Sequence, residues 1–444
     1  MHVSGMFPAD DNTIGDVDAF PTTPRVAFNA VSASTRIGPY IPSSANECIA
    51  VTVHSMSTRP SLLSRGVGTP PPDFSDAEMA RRRAATDELA TRHELDAVIA
   101  YGANKFGNAV PWLTGWPVTR EAVAVLRPGA PPALLVSFPN HVPNARRLAT
   151  GCEVAPIVER TPDTVLSTLG TVRRVGTIGP VPVSLRTALD GVAAVVELDG
   201  EYGRLRARKS DEEMAWLRHA AALTDLSAAA LVSAAVPGAT ELDLVAAVES
   251  AYASIGGANH IHYVAATSME SPDRCAPGQW PTSRLLESGS VVVFELSTTW
   301  GPDYPGQLLR TVTVDAEPTP LYRELHDVAD AALAAMSGLL RPGALPLDLR
   351  KAADLVLDAG FTTVDDLVHG LGGGYLPPVL SHRSEPSGRD LLPLEEGMTV
   401  VVQPNVCTTD LRAGVQTGEM FEITADGARS LHHFPTGLLR ADTF

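Results

Sequence analysis

From Asp76 onward the chain alternates helical patterns with short, wholly apolar runs, and few architectures satisfy that alternation. A helical pattern from Met79 to His93 leads into Ala97-Val98-Ile99-Ala100, and further runs follow at Ala122 to Leu126 and Ala133 to Val136. Runs of this length suit buried strands, so their alternation with helices predicts an α/β domain reaching about Gly200. The 36 Gly and 36 Pro spread along the 444 residues argue against a helical bundle. Residues 1–74 are rich in Ser, Thr, Pro and Asn and lack sustained periodicity, which reads as a disordered extension. A methionine late in this stretch, Met56, leaves open whether residues 1–55 are translated.

A second domain is expected over residues 201–444. It opens at Arg204 with a long helix marked by Ser210 and Glu213 at capping-box spacing, and Pro237-Gly238 ends that helix. Thr240 caps another helix that stops at Gly256-Gly257. Strands are expected at Ile261 to Ala266, Val291 to Leu296 and Thr399 to Gln403.

The 51 Asp and Glu against 34 Lys and Arg give a formal charge of −17, which disfavours nucleic acid and anionic membranes as partners. No run approaches the length of a membrane span. The four cysteines, Cys48, Cys152, Cys275 and Cys407, lie far apart with no CxxC pair, so neither a zinc cluster nor a secreted disulfide framework is expected. A cytoplasmic protein acting on a small molecule fits these features.

Chemistry concentrates where polar residues end or flank apolar runs: Glu295 after Val291 to Phe294, Gln307 near Leu309-Arg310-Thr311, and Gln403 before Pro404. A buried polar side chain without a partner is costly, so such residues either face a cleft or are bonded in the core. The segments around them occur in a telling order: Arg204 to Glu213, Pro237 to Glu241, Ser288 to Val292, Leu309-Arg310-Thr311, His369-Gly370-Leu371-Gly372, Glu396 to Val400 with Pro404, and Ile423 to Gly427. Together they resemble the pita-bread superfamily of methionine aminopeptidases, Xaa-Pro dipeptidases, aminopeptidase P and creatinase. Trp112-Leu113-Thr114-Gly115-Trp116 resembles a segment of the creatinase-type N-terminal domain. The resemblance implies an α/β creatinase-like N-terminal domain over residues 75–200 and an α+β pita-bread domain over 201–444, commonly paired as a homodimer.

The peptidases of that family hold two divalent metals with two aspartates, a histidine and two glutamates. At the matching places this chain has Glu295, Gln307, His369, Gln403, and either Gly418 or Glu419. A Gln oxygen offers a dipole where two cations need charge, so a two-metal centre is not expected. Creatinase supplies a metal-free precedent for hydrolysing a C–N bond, and the expected activity is of that kind, without cofactor. His369 and Glu295 would transfer protons, with Glu419 and His262 as further catalytic residues; His262 enters because alternate residues of His260-Ile261-His262 share a strand face. Gln279, Trp280, Gln307, Arg310, Tyr375, Gln403, Gln416 and Trp112 would contact a small polar or zwitterionic substrate, since amides both donate and accept. The alternatives are an Xaa-Pro metallopeptidase retaining one Mn, Co or Zn ion, a lyase on the same fold, and a non-catalytic peptide binder.

Overall fold

The computed structural model describes residues 68–443, so most of the N-terminal extension expected from the sequence lies outside the described residues. Helix Asp76–Arg92 leads into β1 (Ala97–Ala103), followed by β2 (Glu121–Leu126), β3 (Ala133–Val136), β4 (Glu153–Pro156), β5 (Arg174–Ile178) and β6 (Ala194–Glu197). These form a six-stranded mixed sheet in the order β4-β3-β2-β1-β5-β6. Burial explains the unbroken apolar runs. Val98, Ala100 and Leu134 face one core with Trp112 and Trp116, while Ala97, Ile99 and Leu135 face another with Leu185 and Leu189.

The long helix does not begin at Arg204. Helix Asp199–Ala207 ends first, Arg208 turns extended, and Lys209 donates its backbone N–H to Gly397 O. Helix Asp211–Ala234 then starts from a capping box in which Ser210 N donates to Glu213 Oε2 (3.0 Å) and Glu213 N to Ser210 Oγ (3.2 Å). The reciprocal cap satisfies donors that would otherwise be orphaned at a buried helix start. Helix Glu241–Ala253 follows with Thr240 as its cap.

The second sheet has nine strands. Its main path runs β11 (Tyr375–Leu380), β10 (Val368–Leu371), β12 (Thr399–Val402), β15 (Gly418–Thr424), β9 (Leu308–Thr313), β8 (Ser290–Thr299), β7 (Ala258–Ser268), with β16 (Gly427–Ser430) on β15 and β17 (Leu439–Arg440) on β9. A two-stranded ladder, β13 (Val406–Cys407) with β14 (Gly414–Val415), links β12 to β15. One face carries Phe294, Leu296, Leu308 and Val312 against Leu223, Leu231 and Val248 of the two long helices. On the other half of the sheet Val368, Val400 and Val402 meet Met336 and Leu340 of helix Pro320–Ser337 and the residues after it.

Polar bonds join the two sheets' regions. Trp112 Nε1 and Tyr304 Oη both donate to Glu213 Oε1 at 2.8 Å, and Arg82 is buried beside them, bonded to Glu78 at 2.6 Å. The glycines after His369 serve the same junction. Gly372, Gly373 and Gly374 take positive φ, a Cβ on Gly373 would overlap the Arg206 guanidinium, and Asn108 donates to Gly373 O at 2.7 Å. Only glycine combines that backbone conformation with so close an approach.

Candidate functional site

Register brings the site together. Residues directly paired across an antiparallel ladder share a sheet face. Glu295 pairs with Tyr263 on β7 and with Leu309 on β9, and Gln307 lies two residues before Leu309, on that same face. Gln307 Nε2 donates to Glu295 Oε1 and to Gln403 Oε1, each at 2.9 Å. His369 pairs with Val401, two residues before Gln403, and the Gln403 amide lies within hydrogen-bond reach of its ring. Tyr375 stacks over that ring with centroids 4.1 Å apart, and its hydroxyl donates to Asp366 Oδ2 at 2.5 Å. His369, Glu295, Gln307, Gln403 and Tyr375 thus occupy one centre, all buried except the half-exposed Tyr375.

The other residues singled out in the sequence go elsewhere. Gly418 pairs with Leu309, on the site face, whereas Glu419 pairs with Leu308. Glu419 therefore shares the opposite face with Arg310, which donates to it at 2.7 Å and also to Gly418 O and Pro435 O. Neither enters the centre, so Glu419 is not placed for catalysis nor Arg310 for substrate. A Cβ on Gly418 would stand 2.7 Å from Gln403 Cβ and from Val402 O, so the last ligand position of the resembled family is held by a residue with no space for a side chain. His262 pairs with Leu296, on the helix-facing side, and its Nε2 lies 3.0 Å from Tyr252 Oη. A register irregularity between Asn259 and Ile261 breaks the simple alternation that grouped His260 with His262. Trp112 is buried at the junction and bonded to Glu213, not exposed to a cleft. Gln279 and Trp280 sit exposed on the connection between β7 and β8. Gln416 is buried with its backbone N–H on Thr311 Oγ1, and its side-chain Oε1 has no partner.

Asp365 and Asp366, which no motif marked, complete the centre. They lie just before β10, where Asn405 Nδ2 approaches Asp365 at 3.3 Å and Arg383 approaches Asp366 at 3.2 Å. A pair of acids closely preceding a strand-borne histidine was the available signal.

Burial, and then the charge of Asp365, push the Glu295 carboxyl up from 4.5 to about 8. Burial pushes His369 down from 6.5 to about 4, so its ring is neutral at ordinary pH; Nδ1 lies 3.2 Å from Gly370 O, which fits an N–H donated there and leaves Nε2 as the basic nitrogen. Opposite pH dependences follow. Between about pH 4.5 and 8 the folded state keeps the Glu295 proton that the unfolded chain has released, so stability falls as pH rises through that window. Between about pH 6.5 and 4 the unfolded chain takes up a proton that folded His369 refuses, so stability falls as pH drops. At about 1.4 kcal/mol per unit, the Glu295 contribution is on the order of several kcal/mol. Glu295→Gln is expected to flatten the loss between pH 5 and 8 in denaturant titrations. An unchanged slope would assign that loss to other groups.

The donor set does not fit two divalent ions, because two carboxylate positions are amides and a third is Gly418. Among the described residues no group of three or more His, Cys, Asp and Glu is placed to hold a metal. The donors left for a single ion would be the Glu295 carboxylate, the His369 imidazole and the Gln403 amide oxygen.

Comparison with known proteins bears on this centre. Residues 215–425 match the model of metallopeptidase family M24. The probable dipeptidase PepE of Mycobacterium tuberculosis is 28% identical over 250 residues, which are 56% of this chain and 64% of that protein. The chain thus spans less than two thirds of that relative. The uncharacterized peptidase YqhT of Bacillus subtilis is 25% identical over 346 residues, 74% of this chain and 92% of its own. Among solved structures, dipeptidase PepE from Mycobacterium ulcerans superposes with a TM-score of 0.68 at 23% identity, covering 83% of this chain and 99% of that one. Prolidase from Pyrococcus furiosus gives 0.67 at 19%, covering 79% and 100%. These structures share the fold. The expectation of a centre without cofactor is corrected by the family match, since the matched family is one of metallopeptidases.

Proposed function

We propose, from the match of residues 215–425 to metallopeptidase family M24 and the fold shared with dipeptidase PepE, that the chain hydrolyses the peptide bond of dipeptide-sized, Xaa-Pro-type substrates with one divalent ion held by Glu295 and His369. The observation that carries the reading is the bridge from Glu295 through Gln307 to Gln403 beside His369, built on the family's ligand positions. The expected metal-free cleavage of a C–N bond gives way to this reading.

When bound, the ion would polarise the scissile carbonyl and lower the pKa of water. The chain's own groups set the rest. A nearby cation would favour the ionised form of Glu295, which burial otherwise disfavours. Gln307 has two amide hydrogens, and both are committed, to Glu295 and to Gln403, so the two oxygens are held in fixed orientation. Tyr375 covers His369 on one ring face and limits water there. Asp366 is engaged by Arg383 and Tyr375, which leaves Asp365 as the acid that would meet a substrate's free ammonium. The homodimer and cytoplasmic site implied by resemblance and composition remain part of this proposal.

The test is hydrolysis of alanyl-proline and alanyl-alanine by the full chain with Mn, Co or Zn added in turn, beside calorimetric metal binding. About one ion per chain and metal-stimulated cleavage are expected. Absence of cleavage with all three metals would sink the peptidase reading. In the double variant Gln307→Asp with Gln403→Glu, Mn affinity should rise at least about 10–100-fold, the range that even outer-shell partners command. No gain in affinity would show that these positions do not face the ion.

A further inference from the structure

Cys275 and Cys407 are 132 positions apart in sequence, yet both lie against Gly414 of the β13–β14 hairpin. Cys407 lies on β13 and pairs directly with Gly414 on β14. The space where Gly414 would carry a Cβ is taken by Cys275, whose carbonyl oxygen would lie 2.1 Å and whose Cα 3.0 Å from it. The Cys275 backbone therefore rests on the cross-strand neighbour of Cys407, on the face of the hairpin that carries the Cys407 side chain.

The arrangement is held from both sides. Asp273 is bonded to Arg284 at 2.6 and 2.7 Å and to Thr267 at 2.7 Å, and Arg412 donates to Pro272 O at 3.1 Å, fixing the segment that carries Cys275 against the hairpin. Cys407 is buried and its Sγ donates to Thr362 O at 3.4 Å, whereas Cys275 is partly exposed. The neighbouring Cys407 draws the Cys275 thiol down to about 7, so a large fraction is thiolate at neutral pH.

We propose that Cys275 and Cys407 form a peroxide-responsive dithiol, with Cys275 as the attacking sulfur and Cys407 as the resolving one. The Cys275 thiolate attacks one oxygen of hydrogen peroxide, the O–O bond breaks, and the released hydroxide takes a proton to leave as water, giving a sulfenic acid. The Cys407 sulfur then attacks the Cys275 sulfur, the S–O bond breaks, and a second water leaves as the disulfide forms. Two thiols are oxidised and one peroxide is reduced to two waters. The bond would tie the β7–β8 connection, which carries Gln279 and Trp280, to the hairpin joining Gln403 to Gly418, so it would brace two segments that flank the site.

The test treats the reduced full chain with a few equivalents of hydrogen peroxide, then counts thiols after denaturation and maps peptides without reduction. Thiols should fall from four to two per chain, with a peptide joining Cys275 to Cys407. Cys275→Ser and Cys407→Ser should each lose that peptide, and Cys407→Ser should leave a sulfenic acid at Cys275 that dimedone labels. Cys152→Ser should keep the cross-link. A wild-type map in which Cys275 reaches sulfinic acid without joining Cys407, or in which Cys48 or Cys152 is oxidised first, overturns the proposal, and neither result depends on a variant folding.

Discussion

Replacing His369 by alanine is expected to lower dipeptide turnover by about 10²–10⁴-fold, the usual worth of a positioned proton-transfer group. Among the described residues His369 supplies the imidazole stacked under Tyr375 at this centre, and its neutral state leaves Nε2 basic. Because the side chain is buried under Tyr375, the variant also leaves a void, so turnover has to be measured below its own unfolding midpoint. His262→Ala provides the comparison. His262 is equally buried but on the helix-facing side, bonded to Tyr252, and its loss should lower stability while leaving turnover per folded molecule within about twofold. Equal turnover losses in both variants would show that the effect is one of folding and would remove His369 from the reaction.

Arg310→Met is expected to destabilise the chain by about 3–5 kcal/mol, because it strands Glu419 and several carbonyls without their donor. Arg310 has no exposed surface, and its guanidinium is fully engaged between β9, β15 and the segment at Pro435. Breaking one partner of such a pair leaves an uncompensated charge, whereas removing both leaves mainly a packing problem. The double variant with Glu419→Leu should therefore recover much of the loss in urea titrations. A raised KM with an unchanged midpoint in Arg310→Met would instead put the guanidinium in contact with substrate.

Local signals carried most of the fold. The Ser210 and Thr240 caps and the apolar runs at Ala97, Ala122, Ala133 and Val291 are each fixed by neighbours within a few residues, and the elements formed at those places. Polar residues beside apolar runs marked the candidate centre: Glu295 lies within β8, Gln307 just before β9 and Gln403 just after β12. The site was illegible where the answer depended on parity. A shift of one residue moves every side chain to the other face of a sheet, so sequence order alone left Gly418 and Glu419 as rivals, and only pairing with β9 separates them. The irregularity at Asn259 misled the reading of His262 for the same reason. Asp365 lies outside the regular strands, and the adjacency of Cys275 to Cys407 arises from a long-range approach that no local pattern records.

Gly418 also bears on which substitutions this backbone can accept. Gln307 and Gln403 differ from aspartate or glutamate by small changes that leave the backbone where it is. Position 418 is different, because the atoms that crowd it are the Cβ of residue 403 and the carbonyl of residue 402, which any non-glycine residue at 403 would retain. Reverting the two glutamines leaves that obstruction untouched, and a side chain at 418 requires β12 and β15 to move apart. The present spacing of β12 and β15 thus accepts acidic side chains at 307 and 403 by single substitutions, while position 418 accepts none unless the strands move as well.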